Sequence, residues 1–516
     1  MNILLVYPEM PDTIGKFKQF LKLTGRKSAF PPIGLLTVAA MLPADWNKKL
    51  VDTNCKKLTQ KDLKWADYVF LSAMNVQAKS VFEIIKICND EKVKVVAGGP
   101  LFTHEYEKFE GVDHFVLNEA EITLPEFLKD LGNGNAKHIY KSSQFANVIE
   151  TPAPLWELLD LDNYIYSIVQ YSRGCPYLCD FCDVTALFGR VPRVKSPGQI
   201  INELDILVKS GRNEMIFFAD DNLIGNKNVL KKELLPALIE WRSRNKYAPT
   251  FATQLTINLA DDDELIQLLL EAGFRHILIG IESIDEEALA NMRKKQNTRR
   301  DLLENLKKLQ EKGFIIIGTF IVGLDDDKES VFENVAKFIQ DSGIVLVVIN
   351  VLKAPPGTEL YERMKREERL LENFKFDEDK TNIIPKMDPE TLHYGYKFVL
   401  GEAYSAKNVF ERSIVHFKMK KKFKVKNPLR RKIHFSDIVS FLRIVLFMGI
   451  LNSECKYFWM LFKYAYKNHQ NYIDLALLYS LIMYEYNKLY EKFVEREKEG
   501  EFIYPSEIKQ KLAKAS

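Results

Sequence analysis

Cysteine is scarce in this chain: six in 516 residues, at 55, 88, 175, 179, 182 and 455. A small disulfide-stapled scaffold carries more of them in a shorter sequence, so that class is excluded. Charge of one sign is scarce as well. A net charge of +3 makes no field that would gather a polyanion, and no nucleic-acid partner is expected. The N-terminus has no basic segment followed by an apolar run and a small-residue cleavage site; no secretory signal is visible and a cytoplasmic protein is expected. There is no internal repeat and no low-complexity tract. What is present, 47% apolar and 28% charged residues, is an ordinary folding composition, and the chain is too long for one core.

Strand and helix signals divide the chain. Residues 1–135 alternate short apolar strands (Ile3–Val6, Lys49–Val51, Tyr68–Ser72, Lys94–Ala97, His114–Leu117) with helical segments (Pro32–Leu42, Val81–Cys88). That alternation predicts an α/β domain with a doubly wound parallel sheet. Such sheets bind ligands beyond the carboxyl ends of their strands, here at Pro8, Asp52, Ser72 and Gly98-Gly99. Gly-Asn-Gly-Asn and Thr-Pro-Ala-Pro punctuate the next stretch, and a linker is expected over 136–160.

Over 161–390 the alternation returns, with candidate strands Ser167–Ser172, Met215–Ala219, Thr250–Leu255, His276–Ile281, Phe314–Val322 and Val345–Val351. Six parallel strands with crossover helices predict a partial (β/α)6 barrel, whose chemistry lies in the loops after its strands. In helix 198–210, Ile200, Leu204, Leu207 and Val208 share a face and Ser196 reads as the N-cap. Over 391–516 strand patterns vanish, and the spacing of Ile473, Leu477, Leu478, Leu481 and Ile482 predicts a helical C-terminal domain.

Three of the six cysteines fall within Cys175-Pro176-Tyr177-Leu178-Cys179-Asp180-Phe181-Cys182, straight after the first barrel strand. Three thiolates on one loop can ligate three irons of a cubane cluster and leave the fourth iron open to chelate a small molecule. A closed structural zinc needs four ligands, and the nearest histidine in sequence is His138. A catalytic zinc on three thiolates stays open as an alternative. A redox Cys-x-x-Cys pair would leave Cys175 unexplained. Cys55, Cys88 and Cys455 are isolated and read as buried structural thiols.

The wording "SRGCPYLCDFCDVTALFGRVPRVKS" is followed in order by "FFADDNLIGN", "LIGIES", "FIVGLDDD", "KAPPGTELYERM", "TNIIP" and "YSAKNVFER". Together these resemble the cobalamin-binding-domain radical S-adenosylmethionine (SAM) family, which includes hopanoid C-methylases and archaeal tetraether-lipid ring synthases. The resemblance implies a 4Fe-4S iron–sulfur cluster on Cys175, Cys179 and Cys182, with Phe181 as the aromatic residue before the last ligand. It implies that Asp220, Asp221 and Asn222 hold the SAM amino group, since an ammonium needs acceptors. Ribose and carboxylate contacts fall around Thr253, Thr256 and Asn258, Gly280-Ile281-Glu282 ends the fourth strand, and Gly318 to Asp325 lines the adenine. Glu282, although in this cofactor set, reads with Asp325 as a positioning residue, not an acid or base.

In the N-terminal domain the resemblance implies a cobalamin near Phe30–Leu42, Asp52, Ser72, Gly98 and Gly99. The Asp-x-His-x-x-Gly signature that supplies an axial histidine is missing: the second strand runs into Asp52-Thr53-Asn54-Cys55-Lys56-Lys57. Either cobalamin binds without a histidine axial ligand, which is the expectation, or the domain no longer binds it. His104 and His114 read as surface residues.

The reaction implied is one-electron reductive cleavage of SAM, abstraction of hydrogen from an unactivated carbon, and methyl transfer from methylcobalamin to a lipid or other hydrophobic substrate. An external flavodoxin- or ferredoxin-like protein would supply the electron. The alternatives are radical carbon–carbon bond formation, as in lipid ring closure, and a non-enzymatic iron–sulfur redox or sensor protein. Residues 418–432 hold nine Lys or Arg in fifteen and precede "FSDIVSFLRIVLFMGIL" (435–451). The uninterrupted apolar run there is eight residues, against the roughly 20 that span a bilayer. The plainer reading, a solvated charge run capping a buried helix, is preferred to docking of 418–451 on an anionic membrane surface.

Overall fold

The computed structural model describes residues 1–12, 16–211, 215–245, 248–371, 380–420, 435–468, 473–504 and 508. The apolar runs of the first domain form β1 (Asn2–Tyr7), β2 (Asn47–Asp52), β3 (Tyr68–Ser72), β4 (Lys94–Gly98), β5 (His114–Val116) and β6 (Ile139–Tyr140). They make one parallel sheet in the order β2-β1-β3-β4-β5-β6. Side chains alternate across a strand. Ile3 and Leu5 therefore enter a core shared with the helix Ile33–Met41, while Leu4 and Val6 enter a second core with the helix Ala78–Asp90. Burial on both faces is what a sheet with crossover helices on each side requires.

β6 lies within the stretch read as linker. The amide of Phe115 donates to the His138 carbonyl at 2.7 Å and that of Leu117 to Tyr140 at 2.9 Å, so the sheet gains a sixth strand. Two residues are too few to show a period in sequence.

The second sheet contains β7 (Ser167–Val169), and a short antiparallel ribbon of β8 (Ser172–Arg173) and β9 (Arg193–Val194) stands beside it. The sheet continues through β10 (Met215–Phe218), β11 (Thr250–Leu255), β12 (Phe274–Glu282), β13 (Ile315–Val322) and β14 (Leu346–Val351). All six sheet strands run parallel and in sequence order, the partial barrel expected. The expected strand Ser167–Ser172 is broken, because Ser172 leaves the sheet to pair with Val194. That break turns the cysteine loop over the mouth of the barrel. Ser196 caps the helix Pro197–Lys209: its Oγ accepts from the Gln199 amide, and the Gln199 side chain accepts from the Ser196 amide.

The C-terminal part is helical, with Pro389–Tyr404, Ala406–Lys420, Phe435–Leu446, Cys455–Asn468 and Ile473–Lys498. The last of these closes on the barrel: the Tyr486 hydroxyl accepts from the Val347 amide at 2.6 Å and donates to its carbonyl at 2.8 Å. The helix Phe435–Leu446 is not a buried helix. Ile438, Phe441, Leu442 and Leu446 are exposed, because only one side, at Ile444, finds cover from Leu23 and Leu481. Residues 421–434 of the basic run lie outside the described residues. Among the described residues no helix is long and apolar enough to cross a membrane.

Candidate active site

The cysteine loop begins at Gly174, whose φ of +96° is a glycine conformation. A Cβ there would lie 3.0 Å from the carbonyl oxygens of Gly189 and Val191. Backbone bonds fix the loop to three parts of the barrel rim. The Gly174 amide donates to Asp221 at 3.3 Å, the Asp180 amide to the Met292 carbonyl at 3.2 Å, and the Leu360 amide to the Asp180 carbonyl at 2.8 Å. Asp180 also meets Arg363 at 3.4 Å.

Cys175, Cys179 and Cys182 are all free and half-buried. Burial pushes the Cys182 thiol up to about 12, and the neighbouring Asp183, Cys179 and Cys175 push it the same way. Burial also raises Cys175, against the Tyr177 amide and with Cys179 and Asp221 adding to the rise. Burial thus disfavours the thiolate at Cys175 and Cys182; a coordinating metal deprotonates a thiol outright. Among the described residues no group of three or more His, Cys, Asp or Glu side chains is drawn together as it would be around a bound metal ion.

The three residues after β10 divide their work. Asp220 is buried and spent on the loop: its carboxylate accepts from the Ser172 amide and hydroxyl, each at 2.5 Å, and from the Tyr171 amide at 3.3 Å. It anchors the strand before the cysteines. Burial pushes its carboxyl up to about 7. Asp221 faces the loop and is raised by burial to about 6. Asn222 is 2% exposed and lies against the Cys175 thiol, and its amide has no nitrogen or oxygen partner. Buried polar atoms are nearly always paired, so this orphaned amide fits a bound molecule that brings its own donors and acceptors.

After β11, Thr256 donates to Asn258 at 2.7 Å and Asn258 donates to the Tyr177 hydroxyl at 2.8 Å, joining that strand end to the cysteine loop. Glu282, at a left-handed φ of +64°, pairs with Lys294 at 2.6 Å and accepts from Thr319 at 3.1 Å. Lys294 Nζ stands 5.6 Å from the centroid of the Phe181 ring, so Glu282 positions the loop through Lys294. Asp325 meets Arg369 at 2.6 Å and Arg363 at 2.8 Å and is a structural ion. Tyr177, Lys294 and Gln296, which donates to Cys179 Sγ at 3.5 Å, escape a reading of the sequence. Of these, only Tyr177 sits inside a recognisable motif.

A cavity of about 230 Å³ lies where the two sheets meet. Ser72, Gly98 and Gly99 line it from the first sheet, Gly34 and Val38 from the helix Ile33–Met41, and Gln170 and Arg173 from the cysteine strand. Arg173 pairs with Glu119 at 3.0 Å and Glu121 at 2.8 Å, and Arg193 with Glu119 at 2.9 Å, which ties the first domain to the cysteine loop. Two observations fit a large ligand. A Cβ on Gly34 would meet nothing within 4 Å, and the buried Asn118 Oδ1 in the cavity wall has no partner. Gly98 and Gly99 have a different cause: a Cβ there would lie 2.5 Å from the Val116 carbonyl and the Ser72 hydroxyl, respectively.

Asp52 does not line this cavity. It is buried and accepts from the Tyr164 hydroxyl at 2.8 Å, because β2 is an edge strand whose end is covered by that tyrosine. His104 is half-buried with its Nε2 unpartnered, not a surface residue, because the turn at Gly357 packs against its ring. His114 bonds the Lys137 carbonyl at 2.7 Å. Cys88 is buried as expected, whereas Cys55 and Cys455 are half-buried.

Residues 169–339 match the Radical SAM superfamily, 23–128 a B12 binding domain, and 358–499 a domain of unknown function. The chain is 38% identical over 418 residues to an uncharacterised methyltransferase of Synechocystis sp., covering 80% of this chain and 78% of that one. It is 32% identical over 425 residues to the hopanoid C-2 methylase of Rhodopseudomonas palustris, covering 79% and 80%. The cobalamin-dependent SAM radical enzyme OxsB, solved with aqua-cobalamin and SAM, superposes with a TM-score of 0.60 at 16% identity, over 96% of this chain and 80% of that one. The methyltransferase TsrM from Kitasatospora setae, solved with cobalamin and an iron–sulfur cluster, gives 0.55 at 15% identity, over 71% and 78%. A two-sheet chain with a three-cysteine loop at the seam, these matches included, belongs to the cobalamin-binding radical SAM family. It is an enzyme of that family's methyltransferase line.

Proposed function

We propose that this enzyme methylates an unactivated carbon of a hydrophobic substrate. Cys175, Cys179 and Cys182 would hold the 4Fe-4S cluster, and Asp221 and Asn222 would face the SAM amino group. Thr256 and Asn258 stand at the ribose side, and Ser72, Gly34 and Asn118 would contact cobalamin. Bound there, cluster and SAM supply the hydrogen-abstracting radical and cobalamin supplies the methyl group. The chain's own residues position and exclude water. Asp220 holds the strand that presents Cys175, Lys294 and Glu282 fix Phe181, and Arg173 with Glu119 and Glu121 sets the distance between the two cofactor sites.

The observation that carries the reading is the shared wall. Arg173, two residues before the first cluster cysteine, lines the same cavity as the strand ends of the B12 domain. Among the described residues no histidine lines that cavity. The names of the methyltransferase relatives favour methyl transfer over ring closure, and the hopanoid C-2 methylase favours a lipid-like substrate.

Anaerobic reconstitution with iron, sulfide and hydroxocobalamin tests it. The expected product carries a corrin absorbance that survives desalting and releases 5′-deoxyadenosine with dithionite and SAM. The Cys175→Ala, Cys179→Ala, Cys182→Ala variant should lose the brown chromophore. A chromophore retained in full would refute the ligand assignment; a substrate product lighter by hydrogen, not heavier by a methyl group, would favour ring closure.

A further inference from the structure

The exposed large apolar side chains of this chain are mostly scattered singly, which is normal for a protein surface. One stretch is different. Ile438, Phe441, Leu442, Leu446, Ile450 and Leu451 are all exposed on the helix Phe435–Leu446 and the π turn Phe447–Leu451. Trp459, Met460 and Tyr466 are exposed on the next helix, Cys455–Asn468. Ile450, Leu451 and Tyr466 are each more than 60% exposed, well beyond a grazing contact.

The same hairpin is anchored on its other side. Ile444, Met448 and Phe458 are buried against Leu23 and Leu481 of the body of the protein, and the Trp459 indole donates to the Gly449 carbonyl at 2.8 Å. The outward side is therefore held in place by its own buried face. A helix that is apolar on opposite sides belongs in a core or in a membrane. This one has a core on one side only, and a contiguous apolar face of this kind marks an interaction surface.

The charges around the face select the partner. Between 438 and 468 the basic residues are Arg443, Lys456, Lys463 and Lys467, and Glu454 is the one acid. All four cations are exposed. Lys456, Lys463 and Lys467 share turns of the second helix with Trp459, Met460 and Tyr466. The sequence that leads into the hairpin is basic as well, from Lys418 to Lys432. Trp and Tyr among lysines beside Leu and Ile is the composition of a segment that lies in a lipid headgroup layer, and the cationic rim favours an anionic leaflet. A protein partner would need a matching acidic rim around an apolar centre; a bilayer of anionic lipid offers both without further specification.

We propose that the hairpin 438–468 docks this enzyme on the surface of an anionic membrane, lying in the interface without crossing it. The inference rests on the exposed face and its charges, not on the reaction, so it stands or falls apart from the methylation reading. Full-length protein is sedimented with vesicles of phosphatidylcholine alone and of phosphatidylcholine mixed with phosphatidylglycerol. The expected result is co-sedimentation with the mixed vesicles, weaker with neutral ones and reduced by high salt. The variant Leu442→Glu, Ile450→Glu, Leu451→Glu changes exposed residues and should melt with the parent protein while losing at least about tenfold in vesicle affinity, the scale expected when three apolar anchors leave the interface. The Cys175→Ala, Cys179→Ala, Cys182→Ala variant should bind vesicles as the parent does. Failure of the parent to bind mixed vesicles, or full binding by the triple glutamate variant, overturns the proposal. So does light scattering that shows a dimer in lipid-free buffer dissociated by the same three glutamates, since the face would then belong to a second copy.

Discussion

Lys294→Met should strand a carboxylate inside the barrel mouth. Glu282 and Lys294 meet at 2.6 Å, and their side chains are 9% and 7% exposed. Glu282 cannot turn to water: its backbone is fixed at φ +64° and its second oxygen is held by Thr319 at 3.1 Å. Removing one partner of a buried ion pair leaves an uncompensated charge and costs about 3–5 kcal/mol. Thr319 still donates to the stranded carboxylate, so the lower end, about 3 kcal/mol, is expected. Replacing both charges relieves the desolvation, and Glu282→Gln with Lys294→Met should come within about 1 kcal/mol of the parent. The coupling in a double-mutant cycle is then about 2 kcal/mol or more. Urea denaturation of the four proteins without cofactors measures it. A single Lys294→Met variant within about 1 kcal/mol of the parent, or a double variant as unstable as the single, would refute the argument that this pair is a buried, mutually dependent ion pair.

Other contacts give further expectations. Gly174→Ala forces a side chain into a left-handed turn against three carbonyl oxygens, so iron bound after reconstitution should fall sharply; parent-level iron would show that the loop adapts. Gly34→Leu fills space that no protein atom occupies. It should abolish corrin retention on desalting while the melting temperature holds or rises, since leucine is the better helix former by up to about 1 kcal/mol. Burial depresses the His276 imidazole to about 3, with Lys420 and Arg275 adding to the effect. The unfolded chain then binds the extra proton, so this residue's contribution is present above about pH 6.5 and is lost as pH falls toward 3. His276→Gln should flatten that part of the melting temperature against pH; an unchanged acid limb would show that His276 does not contribute to it.

The cysteine spacing, the alternation of strands and helices, and the apolar helix at 33–41 each carry their meaning locally, and each is legible in the amino-acid sequence alone. Thiolates close in sequence must share a loop, and period-two and helical patterns report burial along one segment. Sequence also groups Asp220, Asp221 and Asn222 as a unit, but only the fold divides them. Asp220 bonds Ser172 and Tyr171 across the mouth of the barrel, while Asn222 lies against the Cys175 thiol with no nitrogen or oxygen partner. Glu282 finds Lys294 twelve positions on, beyond the helix Glu286–Asn291, and Arg173 finds Glu119 and Glu121 in another domain. No local pattern encodes such pairs. Asp52 is misplaced by its sequence for the same reason: a strand end in a parallel sheet reads alike whether it opens on a cavity or is sealed by a distant tyrosine such as Tyr164. The exposed side of the helix after 435 is the clearest case. Its residues make it apolar on more than one side, and only the packing decides which side Leu23 and Leu481 cover and which is left to face outward.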